Sequence, residues 1–140
     1  MVQWEQPVQA LYQKKTSSQG IIERRDEYLD ILINKSTKVL AILTGDEHNY
    51  NWLKIVNDMP RYPEKYPHKK LKIKRPIYQI NNGASGAPYY AQEKLPWSAH
   101  TQSFSIENAV CLIYIDGNKV KMKVINPDTL NTLDEVTLKE

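Results

Sequence analysis

Val39-Leu40-Ala41-Ile42-Leu43-Thr44-Gly45-Asp46-Glu47-His48-Asn49-Tyr50 is the stretch on which the reading of the whole chain turns. Residues 39–43 are continuously apolar, with the length and composition of a strand covered on both faces, so a central strand is expected there. Its exit is abruptly polar. In open α/β sheets the carboxyl edge of such a strand is where ligands gather. Asp46 and His48 lie two residues apart on that exit loop and can aim into one cleft, with Gly45 leaving space. A carboxylate oxygen and an imidazole nitrogen together suit Zn, Mn or Fe. On its own the tetrapeptide has a simpler reading too, as a polar loop with a capping aspartate and a surface histidine.

Upstream, Ile21, Ile22, Tyr28, Leu29 and Leu32 recur at helical spacing, with Glu23, Arg24, Asp26, Glu27 and Asp30 largely off that stripe. This predicts a helix over 21–34. Residues 1–20, polar and broken by Pro7, read as an irregular lead-in, and 21–140 as the folded unit. Downstream, Pro60, Pro63, Pro67 and Pro76 make most of 57–76 a surface loop. Within it Lys70-Leu71-Lys72-Ile73-Lys74 alternates and predicts a half-buried strand. Ile77 to Ile80 reads as another strand, ended by Asn81-Asn82-Gly83-Ala84-Ser85-Gly86, a tight loop. Residues 84–103 form a long loop carrying Tyr89, Tyr90 and Trp97. From Phe104 to Asp116 and from Lys119 to Asn126 the chain predicts a hairpin about Gly117-Asn118. A turn at 126–129 and a last strand over 133–138 complete the pass.

The charge balance is mild, 19 basic against 16 acidic residues for a net +3, and specifies no polyanion. The basic run from His68 to Arg75 reads best as a solvated strand face whose lysines discourage edge pairing, which argues against nucleic acid as the partner. Cys111, the single cysteine, excludes an intrachain disulfide and any multi-cysteine metal site; in its apolar run it reads as a small buried hydrophobe. No segment approaches the roughly 18 apolar residues of a membrane span, so no membrane partner is expected.

The order Ile31-Leu32, a short link, then Val39 to Tyr50 resembles the final metal-ligand motif of calcineurin-like metallophosphoesterases, G-H-x-H after a buried strand and often followed by an aromatic residue. Ile77 to Gly86 is similar to that family's strand and Gly-rich turn. Val110 to Leu138 is similar to its closing strands, where a D-G-N hairpin leads through an N-P-D turn into Leu133-Asp134-Glu135. The resemblance spans 21–140. It implies an α/β fold, part of a layered β-sandwich with one main helix and a C-terminal β-hairpin region.

By the same resemblance, two divalent metal ions (Mn, Fe, Zn or Mg) polarise a phosphoryl group and generate a bridging hydroxide. His48 matches the second histidine of the motif and is the implied catalytic residue and metal ligand. Asp46 stands where the first histidine is usual and is implied as the other metal ligand, an oxygen donor that favours a harder ion such as Mn or Mg. Asn82, Gly83 and Tyr50 are the candidate substrate contacts, the loop's backbone N–H groups facing phosphate. The family's G-D-x-x-D and G-N-H-[D/E] motifs do not occur in these residues, no D-x-H precedes Asp46-Glu47-His48, and His68 and His100 read as exposed.

The chain is therefore expected to act as the C-terminal half of a phosphoric-ester hydrolase, inactive and at most weakly metal-binding alone. Its expected partners are a phosphate-ester substrate and the missing N-terminal half of the domain, or a second copy of the chain. The alternative from another class is a non-catalytic β-rich binding module, whose basic strand and aromatic loop hold an anionic or carbohydrate partner.

Overall fold

Helix α1 spans Ser18–Leu29 and continues as a wider π-helical turn over Asp30–Lys35. The computed structural model describes residues 18–45, 47–92 and 96–140; most of the expected lead-in lies outside them. Leu29 and Ile33, four residues apart on one helical face, are both buried, each contributing about 2 kcal/mol of apolar burial. The helix ends where Arg75 intervenes. Its guanidinium donates to the carbonyls of Leu32 (2.9 Å), Ile33 (3.1 Å) and Ser36 (2.7 Å), supplying partners for the oxygens that a helix terminus leaves open.

Four strands follow as one sheet: β1 (Ala41–Thr44), β2 (Tyr50–Ile55), β3 (Ile77–Asn82) and β4 (Thr101–Ser105), in the order β1-β3-β2-β4. β1 runs parallel to β3, while β2 is antiparallel to both β3 and β4. The second sheet is an antiparallel meander of β5 (Val110–Asp116), β6 (Lys119–Ile125) and β7 (Thr132–Lys139). Among the described residues the fold is thus mixed α/β, mostly strand, with one α-helix and two sheets. The expected C-terminal hairpin is present, with Gly117 at φ +58° in its turn, a conformation that glycine adopts without strain.

Side-chain alternation divides the four-stranded sheet between two cores. Ile42, Leu53, Ile55 and Ile77 pack with Leu29 and Ile33 of the helix, together with Met59, Ile73 and Trp97. Tyr50 and Ile80 pack with Met122, Val124 and Leu138 of the second sheet. One carboxylate ties the sheets together: Asp134 on β7 accepts from the Tyr50 hydroxyl (2.8 Å) and the Trp52 indole N–H (2.7 Å) of β2.

Three expectations are corrected, and one strand was not foreseen. The run 39–43 is not a central strand: among the described residues β1 is at an edge, and Leu43 is 61% exposed. Its apolar composition reports what the faces need and is silent about lateral neighbours. Lys70–Lys74 keeps its alternation, with Ile73 buried between exposed lysines, yet it forms no ladder. Side chains replace one: Tyr62 and Asn57 accept from the N–H groups of Leu71 and Ile73, Asn34 accepts from that of Lys74, and Arg61 and Asn34 donate to the carbonyls of Leu71 and Lys72. Phe104 to Asp116 is not one strand but parts of β4 and β5, which belong to different sheets. Finally β2, hidden behind the polar exit loop, went unread in the sequence although Tyr50, Leu53 and Ile55 are all buried.

Candidate functional site

The carboxyl ends of the parallel strands β1 and β3 lie at one edge of the sheet, with Thr44 opposite Asn81. From there β1 leads into loop 45–49 and β3 into the turn at 83–86. The loop closes on itself through the Asn49 N–H, which donates to the Glu47 carbonyl (2.7 Å). Asn81, fully buried on β3, braces it from below. Its Nδ2 donates to the carbonyls of Glu47 (3.1 Å) and Asn49 (2.7 Å), the two residues that flank His48. Buried polar atoms need partners, and here the partners are the backbone of the loop that carries the histidine.

His48 is half-buried at this edge. Its Nδ1 lies 2.7 Å from the Pro88 carbonyl, and a carbonyl only accepts, so Nδ1 bears the proton. In the neutral ring Nε2 is then the nitrogen with a lone pair. A histidine that ligates metal commonly has its other N–H held in this way by a backbone carbonyl or carboxylate. Tyr90 stacks on the imidazole, centroids 4.3 Å apart and planes at 18°, and the Tyr90 N–H donates to the His48 carbonyl (3.1 Å). The ring is therefore held at its nitrogen, its face and its backbone. Among the described residues beyond its chain neighbours, nothing lies within 4 Å of where a Cβ on Gly45 would sit.

The other sequence candidates fare differently. Asp46 lies outside the described residues. Tyr50 is fully buried and its hydroxyl donates to Asp134; burial first and that hydrogen bond second push its phenol well above the ordinary tyrosine range. This takes it out of any surface that a substrate would meet. The Gly83 N–H donates to the Asn49 carbonyl (3.2 Å) and the Gly86 N–H to the Asn108 side chain (3.2 Å), so these two of the backbone donors expected to face phosphate are engaged within the protein. Asn82 is half-buried, its Oδ1 buried without a hydrogen-bond partner among the described residues. Among the loop aromatics, Tyr90 stands against His48 and Tyr89 donates to Asn108 (2.9 Å), whereas Trp97 is buried in the helix-side core.

Among the described residues no group of three or more His, Cys, Asp or Glu side chains is close enough to hold a metal ion. His68 packs on the edge of Tyr66 (5.4 Å) and His100 sits in the turn before β4. The lysines at 69, 70, 72 and 74 line a groove of about 610 Å³ that Asp26, Glu27 and Asp30 also line, a mixed field rather than a cationic track. Burial pushes the Cys111 thiol up to about 11, with Asp134 adding to the effect, which fits an inert hydrophobe and not a nucleophile.

Pro88 and Asn81 are site residues that sequence reading missed, and Tyr90, read there as part of an aromatic loop, was not connected with His48. They sit 33–42 positions from His48 in the chain, and only the pairing of β1, β2 and β3 brings them together. No helix among the described residues is long and apolar enough to cross a membrane. Set against known protein families, curated proteins and solved structures, the chain matches none of them.

Proposed function

We propose that this chain contributes the last metal-ligand loop of a dinuclear, metal-dependent phosphoric-ester hydrolase, with His48 Nε2 as ligand and Asp46 as its companion. The observation that carries the reading is the held imidazole: Nδ1–H on the Pro88 carbonyl, the ring against Tyr90, and the loop braced by Asn81 where two parallel strands end. A single oriented imidazole fits one ligand position. It does not make a centre, so the remaining donors come from a second polypeptide segment, and the isolated chain turns over no substrate. When bound, a pair of divalent cations would lower the pKa of a bridging water and neutralise charge on the phosphate oxygens. The chain's own residues present one nitrogen lone pair in a fixed direction, and the Tyr90 ring shields one face of that imidazole from water.

The test is a Mn(II) titration followed by proton–nitrogen NMR of the three imidazole rings, with His68 and His100 as internal controls. Nitrogen shifts in the metal-free chain are expected to place the His48 proton on Nδ1. The His48 signals should broaden at a lower Mn(II) concentration than those of His68 and His100. Equal broadening of all three, or a His48 signal that persists after the others vanish, overturns the assignment.

A further inference from the structure

Lys119, Lys121 and Lys139 stand around one concavity of about 360 Å³ on the outer face of the second sheet, with Thr137 and Glu140 as its other lining residues. Alternation explains two of the three lysines. Met122 and Val124 are buried against the first sheet, so the odd-numbered residues of β6 point to the opposite side, where Lys119 and Lys121 are exposed. A break in the ladder brings the third. Lys121 pairs with Thr137 but Val120 pairs with Lys139, so β7 accommodates one extra residue, and Lys139 lies one step nearer Lys121 than an unbroken ladder would put it. Bulges re-aim side chains in this way. The tight turn then holds the result, because Lys139 Nζ donates to Asn118 Oδ1 (3.2 Å).

Three ammonium groups against one carboxylate leave the concavity strongly cationic, and like charges held together repel. Among the described residues none of these lysines is in an ion pair. Asp116 and Glu135 share the face, yet they pair in register with Lys119 and Lys123 and do not line the concavity. The sequence outside the described residues brings no surplus of acid, with Glu5, Asp46 and Glu93 against Lys14, Lys15 and Lys94. The groove at 69–74 differs in this respect, since four lysines there meet three acids.

We infer that this concavity binds a diphosphate group, with the ammonium groups of Lys119, Lys121 and Lys139 and the hydroxyl of Thr137 as donors. The donor set selects the ligand. Lysine acts on phosphate as a point charge, whereas the planar fork that suits a carboxylate belongs to arginine, and no arginine lines the site. Lysines two apart on one strand have Cα atoms about 6.7 Å apart, a span that two joined phosphate tetrahedra bridge better than one. Glu140 opposes the anion and lowers its affinity. A volume of about 360 Å³ lies in the range of small-molecule sites and exceeds what a bare diphosphate fills. The site involves neither His48 nor a metal, so it stands apart from the hydrolase reading.

The probe is inorganic pyrophosphate, titrated into the labelled chain in metal-free buffer, with sulfate at matched ionic strength as the control. Amide signals of Lys119, Lys121, Thr137 and Lys139 should shift and saturate, while those of Lys69 to Lys74 stay in place. Lys121→Gln should weaken binding roughly tenfold, the loss of one charge-assisted contact, and Lys121→Arg should restore most of it. Glu140→Gln should tighten binding. All three changes fall at exposed positions, and an amide spectrum unchanged elsewhere verifies the fold. Adenosine diphosphate then separates the sources of the group. Tighter binding than pyrophosphate, with the signals of Tyr114 shifted beside its ladder partner Lys121, identifies a nucleoside diphosphate; equal affinity identifies the inorganic anion. The inference is overturned by the same shifts with sulfate, by shifts shared equally with Lys69 to Lys74, by Lys121→Gln binding as the parent does, or by no saturable shift at millimolar pyrophosphate.

Discussion

Replacing Asn81 by alanine should loosen the histidine loop far more than it destabilises the protein. The side chain is fully buried and its Nδ2 donates to the carbonyls of Glu47 and Asn49. Both acceptors keep another partner in its absence: the Asn49 N–H for Glu47 and the Gly83 N–H for Asn49. The two Nδ2 hydrogens also reach Asn49 Oδ1 (3.3 Å), which keeps the Asn51 amide as a donor, so the loss is about two ordinary hydrogen bonds, about 1 kcal/mol each, and no stranded acceptor. A small cavity adds about 1 kcal/mol. Against this, Asn81 Oδ1 is buried without a partner among the described residues, and removing such an atom returns about 1–3 kcal/mol of desolvation. The net change in unfolding free energy should stay below about 2 kcal/mol by urea denaturation. Locally there is no such offset. Losing both tethers should speed native-state amide exchange at Asn49 roughly 30-fold, the equivalent of about 2 kcal/mol. A global loss above about 4 kcal/mol, or unchanged protection at Asn49, would refute this account of the site.

Two further outcomes test the links between structure and stability. Asp134→Ala leaves the buried Tyr50 hydroxyl and the Trp52 indole N–H without their shared acceptor and should cost about 3 kcal/mol in urea denaturation. Asp134→Asn should restore at least half of that, and a loss under about 1 kcal/mol for the alanine variant would mean that the clamp does not join the sheets. In alkali, Cys111 and Tyr50 both hold their protons in the fold beyond the point where the unfolded chain releases them, because burial disfavours thiolate and phenolate and Asp134 lies close. The native state then binds more protons than the unfolded state, so the contribution of these two groups is flat below about pH 9 and falls above it. For the thiol the loss runs from its ordinary 9.0 to about 11. Urea midpoints measured across that range should fall with pH, and Cys111→Ala should flatten the slope; a midpoint independent of pH would contradict the burial of both groups.

What could be read locally was read correctly where one periodicity dominated. The helix-forming stripe around Leu29, the tight turn at Gly117 and the two long strands it joins all follow from spacing and turn chemistry. The failures have particular causes. At Lys70–Lys74 the alternation reports a buried Ile73 between wet lysines, which an extended segment held by Asn34, Asn57, Arg61 and Tyr62 satisfies as well as a ladder does. Between Phe104 and Asp116 the apolar pattern does not register that the chain leaves one sheet for another.

At the site, the sequence alone determined that an imidazole follows directly on an apolar strand, since this is a matter of order along the chain. Which nitrogen of that imidazole is held, what stacks on it and what braces its backbone were decided only by tertiary structure. Pro88, Tyr90 and Asn81 reach His48 through strand pairing, and the energies that fix pairing belong to side chains distant in sequence. The same reason explains Tyr50, whose place beside the histidine suggested a surface role until Asp134, 84 positions away, was found to hold its hydroxyl in the core.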